Sequence, residues 1–116
     1  MSTIQIFHNP RCSKSRQTLS LLEQQGIDAQ VIEYLKSPPT AAELKSILGK
    51  LNMSARELLR KGEADYKELN LSDQTLSEDD LIAAMIAHPK LIERPIVIHA
   101  DKAKLGRPPE AVLDIL

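Results

Sequence analysis

The chain of 116 residues has no tryptophan, one phenylalanine and two tyrosines, so aromatics make up only 3%. Platforms that stack nucleic-acid bases need more π-faces than that. Charge of one sign is also lacking: 15 Lys and Arg stand against 16 Asp and Glu, for a formal net charge of −1. Binding to DNA or RNA through overall charge is thereby excluded. No apolar run approaches the ~20 residues that span a bilayer. The opening MSTIQIFHNPRC is too short in its apolar part for a signal peptide. A cytosolic address away from membranes is therefore expected. Finally, there is a single cysteine, Cys12. One thiol makes no intramolecular disulfide and no Cys-rich zinc site. If Cys12 does redox chemistry, the resolving thiol comes from another molecule.

What is present suits a folded domain. Hydrophobic residues are 42% and charged residues 27%, and a chain of this length buries roughly two-thirds of its unfolded surface. Neither repeats nor low-complexity segments interrupt it. A single domain over 1–116 is expected, with a helical insertion over about 40–90.

Ile4 and Ile6 alternate with Gln5 in a strand expected over Thr3–His8, which Asn9-Pro10 breaks. A helix is expected from Ser13 to about Gln25, with Leu19 and Leu22 on one stripe and Gly26 as its C-terminal cap. Ala29–Leu35 reads as a second strand around Val31 and Ile32, completing a right-handed βαβ unit. Three capping boxes then open helices: Thr40 with Glu43, Ser54 with Glu57, and Ser77 with Asp80. The first helix carries Leu44, Ile47, Leu48 and Leu51, the second Leu58 and Leu59. The third carries Leu81, Ile82, Met85 and Ile86 on one face, and His88-Pro89 ends it. Pro95–His99 is a β-branched strand, Asp101–Lys104 a polar turn, and Leu105 with its neighbours a short return strand. Pro109–Leu116 reads as a closing helix with Val112, Leu113 and Leu116. The order β-α-β, helices, β-β-α is that of an α/β thioredoxin-like fold with helices inserted in its middle. Its mixed four-stranded sheet has a parallel first pair and a hairpin as the last.

Cys12 falls between the first strand and the first helix. Unpaired N–H groups and the positive end of the helix dipole favour a thiolate or an oxyanion there. Arg11, Lys14 and Arg16 surround the thiol, and no acid precedes Glu23. The alternative, a lone cysteine acting as a small buried hydrophobe, fits poorly with a cationic strand-to-helix loop. Cys12-Ser13-Lys14-Ser15 is not Cys-x-x-Cys, which excludes a dithiol mechanism. Thr18 stands where the arginine of a Cys-x5-Arg phosphatase loop would be. Ser15 is placed either to hydrogen-bond the thiolate or to sit as an ordinary exposed serine at a helix start. Asn9 is expected to organise the turn. His88 and His99 suggest no partners, and three scattered histidines do not form a metal site.

His8-Asn9-Pro10-x-Cys12-x-x-Ser15-Arg16 resembles the opening of the ArsC family, the glutaredoxin-coupled arsenate reductases. The likeness continues in Tyr34-Leu35-x-x-Pro38-Pro39 and Arg56-x-Leu58-Leu59-Arg60-Lys61. It then runs through Leu91-Ile92-x-Arg94-Pro95-Ile96-Val97 and Gly106-Arg107-Pro108 to Val112-Leu113-Asp114-Ile115-Leu116. It is greatest to the short, YfgD-type branch. Longer members continue with a charged tail beyond the point where this sequence stops, so a function of that tail is not expected here.

The resemblance implies roles by position. Cys12 is the nucleophile, and Arg60, Arg94 and Arg107 hold the oxyanion. Pro95 is the cis-proline beside the cysteine, aiming Arg94 toward it. His8 lowers the thiol pKa when protonated, or else merely hydrogen-bonds the loop at the strand end. Asn9, Ser15 and Arg16 support the site. Three always-charged guanidinium forks would offset the repulsion between a thiolate and an arsenate anion. The implied reaction reduces arsenate to arsenite, with glutathione as co-substrate, glutaredoxin as partner, and no bound cofactor or metal.

Two other readings compete. One is a monothiol, glutaredoxin-like oxidoreductase acting on another substrate, such as glutathione mixed disulfides. The other is an Spx-type regulatory module of the same fold that binds RNA polymerase. Such modules commonly use Cys-x-x-Cys as a switch, and Ser15 removes that option.

Overall fold

The computed structural model describes residues 4–116. Thr3, the expected first strand residue, lies outside the described residues. The chain forms two compact units. One comprises the chain up to Ser37 together with Arg94–Leu116, and the other is Pro38–Glu93.

In the first unit, strands β1 (Ile4–Phe7), β2 (Gln30–Ile32), β3 (Ile96–His99) and β4 (Lys102–Leu105) form one sheet in the order β2-β1-β3-β4. The β1–β2 pair is parallel, with Ile6 opposite Val31; β1–β3 and β3–β4 are antiparallel. This is the mixed, thioredoxin-like sheet expected. Helix α1 (Ser13–Gln24) connects the parallel pair. It ends where Gly26 takes φ 75, which lets Gly26 N–H bond Glu23 O and Ile27 N–H bond Leu22 O, each at 3.0 Å. These bonds satisfy carbonyls that a helix end otherwise leaves open, and glycine enters the left-handed region without a Cβ penalty. Ile6, Leu22, Val97 and Val112 form the fully buried centre of this unit, with Ile4, Leu19, Leu21, Ile27, Ala29 and Ile115 packed around it. Each of the four central side chains contributes about 1.5–3 kcal/mol by leaving water.

Three expectations need correction. First, β2 is only Gln30–Ile32, not Ala29–Leu35. The chain turns at Glu33, whose carbonyl accepts from Lys36 N and Ser37 N. Tyr34 is thereby buried in a stacked contact with Phe7, with ring centroids 6.1 Å apart. Second, the turn between the last strands is Ala100–Asp101 rather than Asp101–Lys104, because β4 already begins at Lys102, paired with His99. Third, the closing helix is 3-10, over Pro109–Ile115. Three residues per turn align Pro109, Val112 and Ile115 along one stripe. Pro109 and Val112 are buried, while Leu113 and Leu116 are exposed.

The second unit is helical: α2 (Ala41–Leu51), α3 (Ala55–Leu58), α4 (Ala64–Glu68) and α5 (Glu78–Ala87), followed by a 3-10 turn over Pro89–Leu91. All three expected capping boxes are formed at Thr40, Ser54 and Ser77. Leu44, Ile47 and Leu48 of α2 are buried, as are Leu81, Ile82 and Met85 of α5. Helix α4 was not expected, for it buries no residue and so shows no apolar period. Arg56 ties the chain beyond α4 to α3 by donating to the carbonyls of Leu71 and Asp73, each at 2.9 Å. His88, expected to lack a partner, lies 3.5 Å from Asp65 Oδ2. His99 likewise has one, since its Nδ1 meets the carbonyl of Ile115.

No helix among the described residues is long and apolar enough to cross a membrane. No group of three His, Cys, Asp or Glu side chains among them is arranged to hold a metal ion.

Candidate active site

Local backbone bonds place Cys12. Asn9 closes the loop after β1 in two ways: its side-chain Oδ1 accepts from Arg11 N at 3.0 Å, and its carbonyl accepts from Cys12 N at 2.9 Å. Asn9 thus organises the turn, since its short amide mimics a further backbone carbonyl. Cys12 then occupies the N-cap of α1 at φ −93, ψ 124, and its carbonyl accepts from Arg16 N at 3.0 Å. N-cap side chains usually accept a bond from the first turn, but the Cys12 side chain caps nothing. The sulfur is left at the positive end of a 12-residue helix whose first turn holds no acid. Its residue is 8% exposed.

Ser15 is fully buried rather than exposed, and its Oγ accepts from Asn9 N at 3.4 Å. It braces the turn that carries the thiol. Thr18, also buried, donates its hydroxyl to Lys14 O at 2.8 Å. Arg16 contributes its backbone N–H to Cys12, while its side chain is exposed.

Arg107 arrives from the far end of the chain. Its Nε donates to the carbonyl of Arg94 at 2.8 Å, and its Nη2 stands 4.0 Å from Cys12 Sγ. The fixed plane of the guanidinium lets one bond orient the group while another N–H faces the sulfur. Arg94 precedes a cis peptide bond to Pro95, and a second cis bond joins Arg107 to Pro108. The Nε and Nη1 atoms of Arg94 are enclosed. Gly106 N–H donates to Pro95 O at 2.9 Å, fixing the segment before Arg107 against the cis-proline. A Cβ on Gly106 would overlap Thr18 Oγ1 and lie 2.7 Å from Pro95 Cγ. The one sequence signal for this packing is a glycine directly after a strand, where close backbone approach is common.

The other site residues stand as follows. His8 is 7% exposed; its backbone N–H donates to Ile32 O at 2.8 Å. Burial pushes the imidazole pKa below its ordinary value, against a smaller opposing pull from Glu33. The ring is therefore mostly neutral at pH 7 and brings the loop no full positive charge. Arg60 belongs to the second unit, where it pairs with Glu63 and, at 3.7 Å from its Nε, with Glu93. Cys12 and Arg107 are thus brought together within the first unit, with Arg94 and Pro95 tied to the Arg107 segment through their carbonyls and Asn9 and Ser15 bracing the loop of Cys12.

A thiol at a helix N-terminus facing a guanidinium suits attack on an anion carrying several oxygens. In such an attack the sulfur acts as the nucleophile, and a cation beside it offsets charge that builds on the oxygens. A model of the ArsC family matches residues 7–115 of the chain. The chain is 56% identical over 114 residues to a protein of Escherichia coli K12 named uncharacterized protein YfgD, covering 97% of this chain and 96% of that one. It is 51% identical over 117 residues to a protein of Neisseria meningitidis named arsenate reductase, covering both completely. A solved structure named arsenate reductase from Vibrio cholerae is 55% identical and superimposes with a TM-score of 0.97, over 99% of this chain and 98% of that one.

Proposed function

The chain belongs to the ArsC family, and on that premise we propose that it is an arsenate reductase with Cys12 as its nucleophile. The observation that carries the reading is the 4.0 Å approach of Arg107 Nη2 to Cys12 Sγ, between residues 95 apart in sequence. Arg94 and Arg107 bind the oxygens of arsenate from the first unit. The resemblance to the ArsC family gives Arg60 the same task.

The Cys12 thiolate attacks arsenic and forms an S–As bond, while an arsenate oxygen leaves as hydroxide and is protonated to water. Glutathione's thiol displaces a second oxygen in the same way. A glutaredoxin thiolate then attacks the glutathionyl sulfur. The As–S bond to glutathione breaks, its electron pair stays on arsenic, and As(V) becomes As(III). Glutathione and glutaredoxin leave as a mixed disulfide. Water releases arsenite and returns the Cys12 thiolate. Two thiols beyond Cys12 supply the two electrons, as a chain with one cysteine requires. The reaction belongs in a compartment that keeps thiols reduced, the cytosol.

The test is NADPH consumption coupled through glutathione reductase, glutathione and glutaredoxin. Wild type consumes NADPH in proportion to arsenate, and Cys12→Ser does not. Arsenate-dependent turnover by Cys12→Ser would refute the assignment. Turnover of glutathione mixed disulfides without arsenate would favour the monothiol oxidoreductase instead.

A further inference from the structure

Next to the nucleophile's loop is a cleft whose lining includes neither Cys12 nor Arg94 or Arg107. It has a volume of about 170 Å³ and lies within the first unit. The loop His8–Arg11 forms one wall; Glu33, Leu35 and Lys36, in the turn after β2, form the other.

Three observations characterise it. Its charges are mixed: Arg11 and Lys36 are cationic, and Glu33 Oε1 stands 3.8 Å from Lys36 Nζ. Between them it offers apolar surface from Pro10 and Leu35, and Leu35 is 38% exposed. Its wall also holds His8, whose buried Nδ1 has no hydrogen-bond partner among the described residues. A buried polar atom left unpaired is costly, so a ligand group that reaches it gains a hydrogen bond.

A simple oxyanion would be repelled by Glu33, and a simple cation by two basic side chains. An amino-acid zwitterion on a short methylene chain matches the charged and apolar walls: carboxylate toward the cations, ammonium toward Glu33, methylenes on Pro10 and Leu35. Of the proposed reactants, glutathione has such an end. We infer that this cleft holds the γ-glutamyl end of glutathione, an inference that rests on the reading of glutathione as co-substrate. Sites that enclose whole ligands start at about 300 Å³, so the cysteinyl-glycine part remains outside. The cleft ends at Arg11, whose Cα is ~3.8 Å along the chain from that of Cys12. A thiol anchored there is delivered to arsenic held on Cys12.

The experiment is a titration of the whole protein with S-methylglutathione, which cannot react, followed through its backbone amide NMR signals. Shifts are expected at Arg11, Glu33 and Lys36. The S-methyl form of γ-glutamylcysteine should reproduce them, and that of cysteinylglycine should not. Lys36→Glu, an exposed charge reversal that leaves the fold intact, should weaken binding about tenfold and raise the glutathione KM without moving the arsenate KM. The inference is overturned if the shifts fall elsewhere, if arsenate alone produces them, or if Lys36→Glu binds as wild type does. Cleft shifts without arsenate turnover would sink the arsenate reading and keep the cleft. Arsenate turnover without cleft shifts would do the reverse.

Discussion

Two residues separate the roles that burial and charge play at this site. His8 is nearly enclosed, and its pKa is lowered from 6.5 chiefly by that burial. The unfolded chain therefore binds a proton more readily than the folded one. Stability is complete above about pH 6.5 and falls as pH drops from there toward the lowered folded value. Melting temperature measured from pH 7.5 to 5.5 should fall, and His8→Asn should flatten that part of the profile. Arg107 is the contrasting case, held by Arg94 O through Nε and facing the sulfur through Nη2. Lysine keeps the charge but has no second nitrogen with which to do both. Arg107→Lys should raise the arsenate KM about tenfold, a loss near 1.4 kcal/mol, with little change in melting temperature. Cys12 could be read from sequence because a strand, a turn and a helix in succession place that residue at a helix start. The neutral state of His8 could not, since it depends on how completely the ring is covered after folding.

At the scale of elements, legibility followed locality. The capping boxes at Thr40, Ser54 and Ser77 are closed by residues three apart, so the sequence contained both halves of each. Thr40→Ala should cost about 1 kcal/mol in a denaturant titration. In the closing segment Val112, Leu113 and Leu116 fit a 3.6 period in the sequence, which points to an α-helix. Packing chose the 3.0 period that aligns Pro109 with Val112. Strand β2 ended early because Tyr34 found burial against Phe7, a contact between distant residues. The β3–β4 hairpin retains a local conflict. Ala100 sits at φ 56, where a Cβ crowds the following carbonyl. Ala100→Gly should stabilise the protein by up to about 1 kcal/mol. Gly106, at the other end of β4, has no such freedom. Its missing Cβ is where Thr18 and Pro95 meet, so Gly106→Ala should lose about 1–3 kcal/mol by overpacking. Because Arg107 follows directly, the same variant should raise the arsenate KM, which a purely structural defect elsewhere would leave alone.

For the molecule as a whole, the resemblance follows the chain from end to end, and it names an arginine in the unit that contains neither Cys12 nor Arg107. Arg60 already has work there, pairing with Glu63 and Glu93. A guanidinium has five N–H donors in fixed directions, so two carboxylates do not exhaust it. Whether it also serves arsenate is a question of energetic coupling. If Arg60 and Arg107 hold the same anion, removing either weakens the geometry on which the other depends. Arg60→Lys and Arg107→Lys should then each reduce kcat/KM for arsenate, and the double variant should lose less than the sum of both. The expected coupling is at least 0.5 kcal/mol, since residues sharing a ligand couple by about 0.5–3 kcal/mol. If Arg60 serves only its two glutamates, the effects add within about 0.3–0.5 kcal/mol. Melting temperatures of the four proteins separate the cases further. If Arg60 is wholly structural, Arg60→Lys lowers stability through Glu63 and Glu93 whether or not arsenate is present, whereas a shared anion makes the stabilisation by added arsenate depend on Arg60.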